Sequence, residues 1–306
     1  MSKPTLTVIG ELMNNSYGRA RRAWADRSVE GYQNLAKLQT DLGANILTLN
    51  MDATQKLGVT IDEMLDFIPT VLPKIQEVTN IPISFDNPDI SFHKKALEHY
   101  DRSLVEGRPI LNSISVSRTH SEEMLDLVAE HDLDVIVMVS ECLKAGQPKP
   151  CTSVDDVLDT TRYFNKLLKE RGISNDRIIV DPGLAPIASD TQGLINMGLD
   201  TIKGIRADSD LEGMHISVGL SNFAIGGPKE LRIPLERAYL RIAIDLGLDW
   251  VLANPEKNTE PLESDDPLVV GVKQVLAEGR PLNGESLEDA GFRQLDELME
   301  LWEDVA

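Results

Sequence analysis

"TLTVIGELMNNSYGR", residues 5–19, decides between two architectures. Its first half is an apolar, β-branched run of the kind that makes a buried strand. An open, doubly wound sheet that binds a dinucleotide follows such a strand with a Gly-x-Gly-x-x-Gly turn, so that backbone can close on phosphate. GELMNNSYGR has no such spacing and presents Glu11 and Asn14 instead. The first strand therefore argues for the other way of arranging strands and helices, a closed barrel.

The same kind of run recurs along the chain: NILTLN (45–50), IPISFD (81–86), PILNS (109–113), DVIVMV (134–139), RIIVD (177–181), HISVGLS (215–221) and DWVLAN (249–254). Amphipathic segments lie between them. Val29, Tyr32, Leu35, Leu38 and Leu42 share one helix face, and Leu65, Ile68, Leu72 and Ile75 share another. Thr60-x-x-Glu63 and Thr119-x-x-Glu122 read as capping boxes that start helices. Gly43, Gly172, Gly198 and Gly247 read as residues that end them. Eight strand–helix units over roughly 280 residues predict an α/β fold, a (β/α)8 TIM barrel. The barrel is expected over residues 1–262, with its eighth helix at about 266–278. The acidic stretch 263–306 is expected to be a helical extension packed on the barrel, with Leu287, Phe292, Leu295, Leu298 and Leu301 on its apolar face.

Composition removes several function classes. A net charge of −20 over 306 residues repels nucleic acid, whose binding needs Lys and Arg to displace phosphate counterions. Cys142 and Cys151 are too few for a disulfide framework or a four-cysteine zinc site, and the five histidines form no ligand pair, so no bound metal is expected. The opening MSKPTLTVIGE enters a strand with no apolar leader, and no stretch approaches a membrane span. A cytoplasmic setting is expected.

In a barrel the chemistry belongs to the C-terminal ends of the strands. Here those ends carry Glu11 and Asn14, Asn50 with Asp52, Asp86, Asn112 with Ser113, Ser140 with Glu141, Asp181, Ser221 with Asn222, and Asn254. No lysine closes a strand, which leaves a Schiff-base aldolase unsupported. No Arg or Lys cluster accompanies the ring, so a multiply phosphorylated ligand fits poorly. Carboxylates can accept paired N–H groups, and carboxamides both donate and accept, which suits the edge of a flat heterocycle. A single Asn or Asp after a strand is often only a turn or cap. Six at the same level imply a ligand.

These residues and their flanks resemble a known family. VIGELMNN (8–15), GANILTLNMD (43–52), ISFDN (83–87), ILNSIS (110–115), IIVDPGLAP (178–186), VGLSN (218–222) and RIPLERAYLRIAIDLGLDWVLANP (232–255) look like the pterin-binding barrel of methyltetrahydrofolate:corrinoid methyltransferases, and are similar to the folate domain of cobalamin-dependent methionine synthase. The resemblance implies transfer of a methyl group between N5 of tetrahydrofolate and the cobalt of a corrinoid (cobalamin) held by a partner protein, in either direction. It implies that Glu11, Asn50, Asp86, Asn112, Asp181, Ser221 and Asn222 bind the pterin, and that Asn222 with Asp181 acts on N5. It also implies a homodimer. Two departures stand out: Thr48 occupies a position where the family often has Asp, and Phe223-Ala224-Ile225 is more apolar than in relatives, where a changed partner contact is expected. A dihydropteroate synthase-like barrel and a non-catalytic pterin-binding barrel are the alternatives. The first would need Ser-Arg-Lys where this chain has Ser221-Asn222-Phe223. A carboxylate-based, metal-dependent lyase is a further rival, disfavoured because no carboxylate triad occupies successive strand ends.

Overall fold

The computed structural model describes residues 6–305. Strands β1 (Thr7–Asn14), β2 (Ile46–Asn50), β3 (Ile83–Asp86), β4 (Ile110–Ile114) and β5 (Asp134–Met138) follow one another in parallel. A small antiparallel hairpin, β6 (Glu141–Lys144) with β7 (Gln147–Pro150), interrupts the series. The barrel then continues with β8 (Ile178–Asp181), β9 (His215–Ile216) and β10 (Trp250–Ala253), and β10 returns to pair with β1. The (β/α)8 barrel read from the sequence is the fold of the chain.

Closure between β9 and β10 is made differently from the other contacts. No ladder joins them. Leu252 N–H donates to the carbonyl of Val218 at 3.0 Å, and Gly219 bridges Leu252. The Asp249 carboxylate accepts from Ile216 N–H at 2.9 Å and is held by Arg206 at 2.7 Å and His215 at 2.8 Å. A side chain thus takes the place of a ladder bond. The expected seventh strand, 215–221, is accordingly only two residues long, and Leu220–Asn222 is a 3-10 turn. Its apolar run is still buried, with Val218 and Leu220 in the core between strands and helices. Burial alone cannot distinguish a strand from an irregular buried segment.

The helices fill the outside: α1 (Gly18–Ala25) and α2 (Val29–Asp41) after β1, α3 (Ile61–Gln76), α4 (Ile90–His99), α5 (Ser121–Glu130), α6 (Val154–Lys169), α7 (Leu194–Ala207) and α8 (Arg232–Asp245). The capping box at Thr60 and Glu63 is present. The one expected at Thr119 is not: α5 starts later, after His120 in a left-handed conformation, and His120 rather than Thr119 meets Glu123. Gly198 does not end a helix either. It lies inside α7, which begins only after Gly193 and so extends past it.

Strand periodicity builds the barrel interior. Ile9, Ile46, Ile110, Ile136 and Ile179 pack together as one apolar cluster, with Trp250 and Leu252 against it. Two residues further along each strand the same inward face is reached again, about 6.6 Å higher. There stand Glu11, Thr48, Asn112, Met138 and Asp181. An apolar floor thus carries a largely polar layer.

At β1 that inward aim is adjusted by a bulge between Gly10 and Met13. The freed Leu12 N–H donates to the buried Gln39 Oε1 at 2.8 Å. Glycine at position 10 leaves room for this bond, because a Cβ there would lie 2.6 Å from that oxygen and push Gln39 aside.

Beyond β10, α9 (Pro267–Glu278) starts behind Asp266, and α10 (Leu287–Val305) packs against α9 and against the turn Ile187–Ser189. Gly291 lets the α10 backbone approach Thr191, where a Cβ would come within 2.5 Å of backbone. The buried face of α10 is narrower than its sequence pattern. Leu298 is buried and Leu295 and Leu301 partly so, but Leu287 and Phe292 are exposed. They lie on the first turns, where α10 meets a loop rather than a helix. No helix among the described residues is long and apolar enough to cross a membrane.

Candidate functional site

Register places three of the expected residues side by side. Asp86 on β3 is directly opposite Asn112 on β4. Thr48 and Leu49 on β2 pair with Ser84 and Phe85, so Asn50 falls beside Asp86. A hydrogen bond from Asn50 opposes the rise in the Asp86 pKa. Asn112 Nδ2 donates to Ser84 Oγ at 3.3 Å, one layer down. Thr48, paired with Ser84, is fully buried, and its hydroxyl has no protein partner.

Asp181 ends β8 with its carboxylate accepting from Gly183 N–H at 2.7 Å. Burial pushes its pKa from 3.8 up to about 6. Burial also pushes Asp86 up to about 6, with the negative charges of Asp52 and Asp181 adding to the rise. Asp52 is raised by burial too, although Asn50, Arg118 and Asn87 oppose it. Desolvation disfavours the charged form of each carboxyl. Three neighbouring carboxyls made costly to ionise are a setting in which a ligand rich in N–H donors gains by entering.

A second group forms on the other side of the mouth. Glu11 is buried, and burial lifts its pKa from 4.5 to about 7. Its Oε1 accepts from Ser221 Oγ at 2.6 Å and from the Tyr17 hydroxyl, and the two hydroxyls are 3.3 Å apart. Behind Ser221, Asn258 Nδ2 donates to Glu236 at 2.7 Å and reaches Ser221 Oγ at 3.5 Å. Burial raises the Glu236 pKa, and the charge of Glu236 adds to the rise at Glu11. Asn254 is not part of this group: its side chain accepts from Glu256 N–H at 2.9 Å as a turn cap.

Asn222 follows Ser221 on the 3-10 turn and is exposed. The turn is anchored beneath it. Phe223 is fully buried and stacks on Tyr239 of α8 with centroids 4.6 Å apart. Ala224 is buried as well. The apolar stretch expected to meet a partner therefore serves mainly as an anchor, and of its three residues only Ile225, 52% exposed, faces outward.

Sequence reasoning missed Tyr17, Asn87, Arg118, Glu236 and Asn258. All but Asn87, which directly follows β3, come from loops or helices rather than strand ends. Arg118 donates to the Ser113 carbonyl at 3.3 Å, and its charge favours ionisation of both Asp52 and Asp86. Its position five residues past Ser113 was the only available signal. Among the described residues no three His, Cys, Asp or Glu side chains are grouped to hold a metal ion.

Carboxylates and carboxamides, from the buried Glu11 and Asn112 to the exposed Asn222, stand at the mouth of this (β/α)8 barrel, and the family follows from comparison. Residues 19–254 match the pterin binding enzyme family, and the chain belongs to it. The chain is similar in fold to dihydropteroate synthase from Xanthomonas albilineans with 4-aminobenzoic acid (TM-score 0.59, 16% identity, 92% of this chain and 96% of that one). It is likewise similar to dihydropteroate synthase from Coxiella burnetii in complex with pteroic acid (TM-score 0.58, 19% identity, 90% and 94%). A transaldolase of Mannheimia succiniciproducens is 27% identical over 266 residues, covering 83% of this chain and 74% of that protein.

Proposed function

We propose that this pterin-binding barrel transfers a methyl group between N5 of tetrahydrofolate and the cobalt of a corrinoid carried by a separate protein. The observation that carries the proposal is Asn222. An uncharged carboxamide stands exposed at the mouth, on a turn fixed from below by Phe223 and from the side by Ser221. Residues 221–227, Ser-Asn-Phe-Ala-Ile-Gly-Gly, carry no cation. The turn itself thus offers an uncharged group to a neutral ring nitrogen, while the arginines near the mouth, Arg118 and Arg21 among them, come from other segments.

In this reading ionised Asp86 accepts paired N–H groups from the pterin edge, and Asn112 and Asn50 match its neighbouring atoms. Asp181, lifted by burial from 3.8 to about 6, is the nearby carboxyl that can relay a proton to N5. Asn222 accepts a hydrogen bond from protonated N5, which makes the amine a better leaving group. The corrinoid supplies the metal centre that accepts or gives up the methyl group. Equilibrium contacts favour neither direction. A cytoplasmic homodimer working with a corrinoid protein completes the proposal.

The dihydropteroate synthase neighbours support a second reading, a synthase of that kind, at the level of fold. The likeness to transaldolase supports lysine-based aldol chemistry less, because none of the eight barrel strands ends on a lysine. The deciding experiment mixes the purified protein with methyltetrahydrofolate and free cob(I)alamin and follows the visible spectrum. Enzyme-dependent formation of methylcobalamin is expected. Pterin binding without methylation, together with dihydropteroate formation in a parallel assay supplied with a dihydropterin diphosphate and 4-aminobenzoate, would replace this reading by the second.

A further inference from the structure

The first helix after β1 carries a charge pattern that the pterin site does not use. Residues 18–28 hold four arginines against one aspartate, in a chain of net charge −20. The segment is at the mouth, because Tyr17, the residue before α1, is bonded to Glu11 and Ser221. Arg19 extends toward the loop after β10 and pairs with Glu256.

The four guanidinium groups have different surroundings. Arg27 lies over the Trp24 ring, 3.9 Å from its centroid, and near Glu63. Arg19 has its exposed partner Glu256. Arg21, half-buried, donates to the carbonyls of Asn15 at 2.9 Å and Ser16 at 2.5 Å, which fixes it against the β1 loop. Arg22 is exposed, and neither it nor Arg21 has a carboxylate partner among the described residues. Both guanidiniums reach back over Gly18. A Cβ at that position would lie 3.6 Å from Arg22 Nη1 and 3.8 Å from Arg21 Nη2. Arg19 and Arg22 also line a groove of about 360 Å³ between α1 and α2, with Asp26, Ser28 and Asn34.

We propose that this arginine rim is the subsite for the anionic tail of the folate, the glutamyl carboxylates that lie outside the barrel when the pterin lies within it. The inference rests on the pterin reading above. A folate carries its negative charge at the end remote from the pterin, and a chain of net charge −20 repels it at long range. Only a local reversal of sign at the mouth lets that end settle. Guanidinium forks suit carboxylates because they offer paired, coplanar donors. Arg21 is already oriented by two backbone carbonyls, so little side-chain freedom is lost when it engages.

The test is an affinity series with three ligands by titration calorimetry: tetrahydropteroate, tetrahydrofolate with one glutamate, and tetrahydrofolate with three. Affinity should rise along the series by about three- to tenfold in total, and the gain should shrink in 0.5 M salt, as expected for exposed ion pairs. The Arg21→Gln/Arg22→Gln double variant should bind all three within about twofold while binding tetrahydropteroate as the wild type does. Arg22→Glu should reverse the order of the series. Equal affinity for the three ligands in the wild type, or a tail-dependent gain that survives in the double variant, would overturn the proposal and leave the pterin site standing. If tetrahydropteroate itself does not bind, the pterin reading falls and takes this one with it. An unchanged ligand series, with slower transfer from a protein-borne corrinoid alone, would assign the rim to an acidic protein partner and overturn the tail assignment.

Discussion

An Asp86→Asn variant should gain stability as it loses its ligand. Burial and neighbouring negative charge hold the Asp86 pKa at about 6 instead of 3.8. A folded-state pKa above the unfolded one means a contribution fully present below pH 3.8 and lost as pH rises through 6. Two pKa units correspond to about 3 kcal/mol. Asp86 keeps part of its surface open to the mouth, and water there reduces the figure to roughly 2 kcal/mol. Asparagine is neutral throughout and still accepts the Asn50 bond, so the variant avoids this loss. At pH 8 it should exceed the wild type by roughly 2 kcal/mol, a rise in Tm of roughly 4 °C, and at pH 4 the two should nearly coincide. Pterin binding should move the other way. A carboxamide accepts at one atom and sets its own N–H₂ against a ligand donor, which costs about 3–4 kcal/mol, or 10²- to 10³-fold in affinity. Urea unfolding between pH 4 and 8, with titration of tetrahydrofolate at pH 7.5, measures both. Parallel stability curves for the two proteins would refute the strained-carboxyl argument, and undiminished affinity would remove Asp86 from the pterin edge.

Asn222→Ala should slow single-turnover methyl transfer by roughly 10²-fold while tetrahydrofolate affinity changes by less than about threefold. Equal losses in the two would move Asn222 from the reacting atom to simple binding. Glu11, lifted by burial to about 7, should make the wild type lose stability as pH rises through neutrality. Glu11→Gln keeps an acceptor for Tyr17 and Ser221 and should flatten the melting temperature between pH 6 and 8; an unflattened curve assigns that slope to other groups. Gly10→Ala should cost about 2–4 kcal/mol by displacing Gln39 from the Leu12 amide. A loss under 0.5 kcal/mol by urea unfolding would show that Gln39 moves aside freely.

Much of the barrel is readable because its strands obey a simple rule. Ile9 precedes Glu11 by two residues, Ile110 precedes Asn112, and Ile179 precedes Asp181, so alternation alone predicts a polar layer over an apolar one. Adjacent register then makes Asp86 and Asn112 neighbours. The hairpin β6–β7 went unseen because its residues, ECLK and QPKP, include two prolines, lack any β-branched residue and are largely exposed, although Ala145-Gly146, both with positive φ, form the turn. The Glu11 network was half legible. Ser221 follows from its strand, but Tyr17, Glu236 and Asn258 are brought in by a helix entry, a helix face and a loop, and no local pattern connects them. Phe292 misled for a related reason: helical spacing shows which residues share a face, not whether another helix lies opposite.

Seven ladders hold the barrel together, and the eighth contact is a stitched seam of one backbone bond, one bridge and the borrowed carboxylate of Asp249. Local opening begins where the fewest bonds must break together. Backbone amides from Ile216 to Asn222 should therefore exchange their hydrogens ahead of those in the neighbouring strands. Because Asn222 follows directly on that seam, its carboxamide can shift without unzipping a strand, and the wall most easily parted is also the one nearest the expected chemistry.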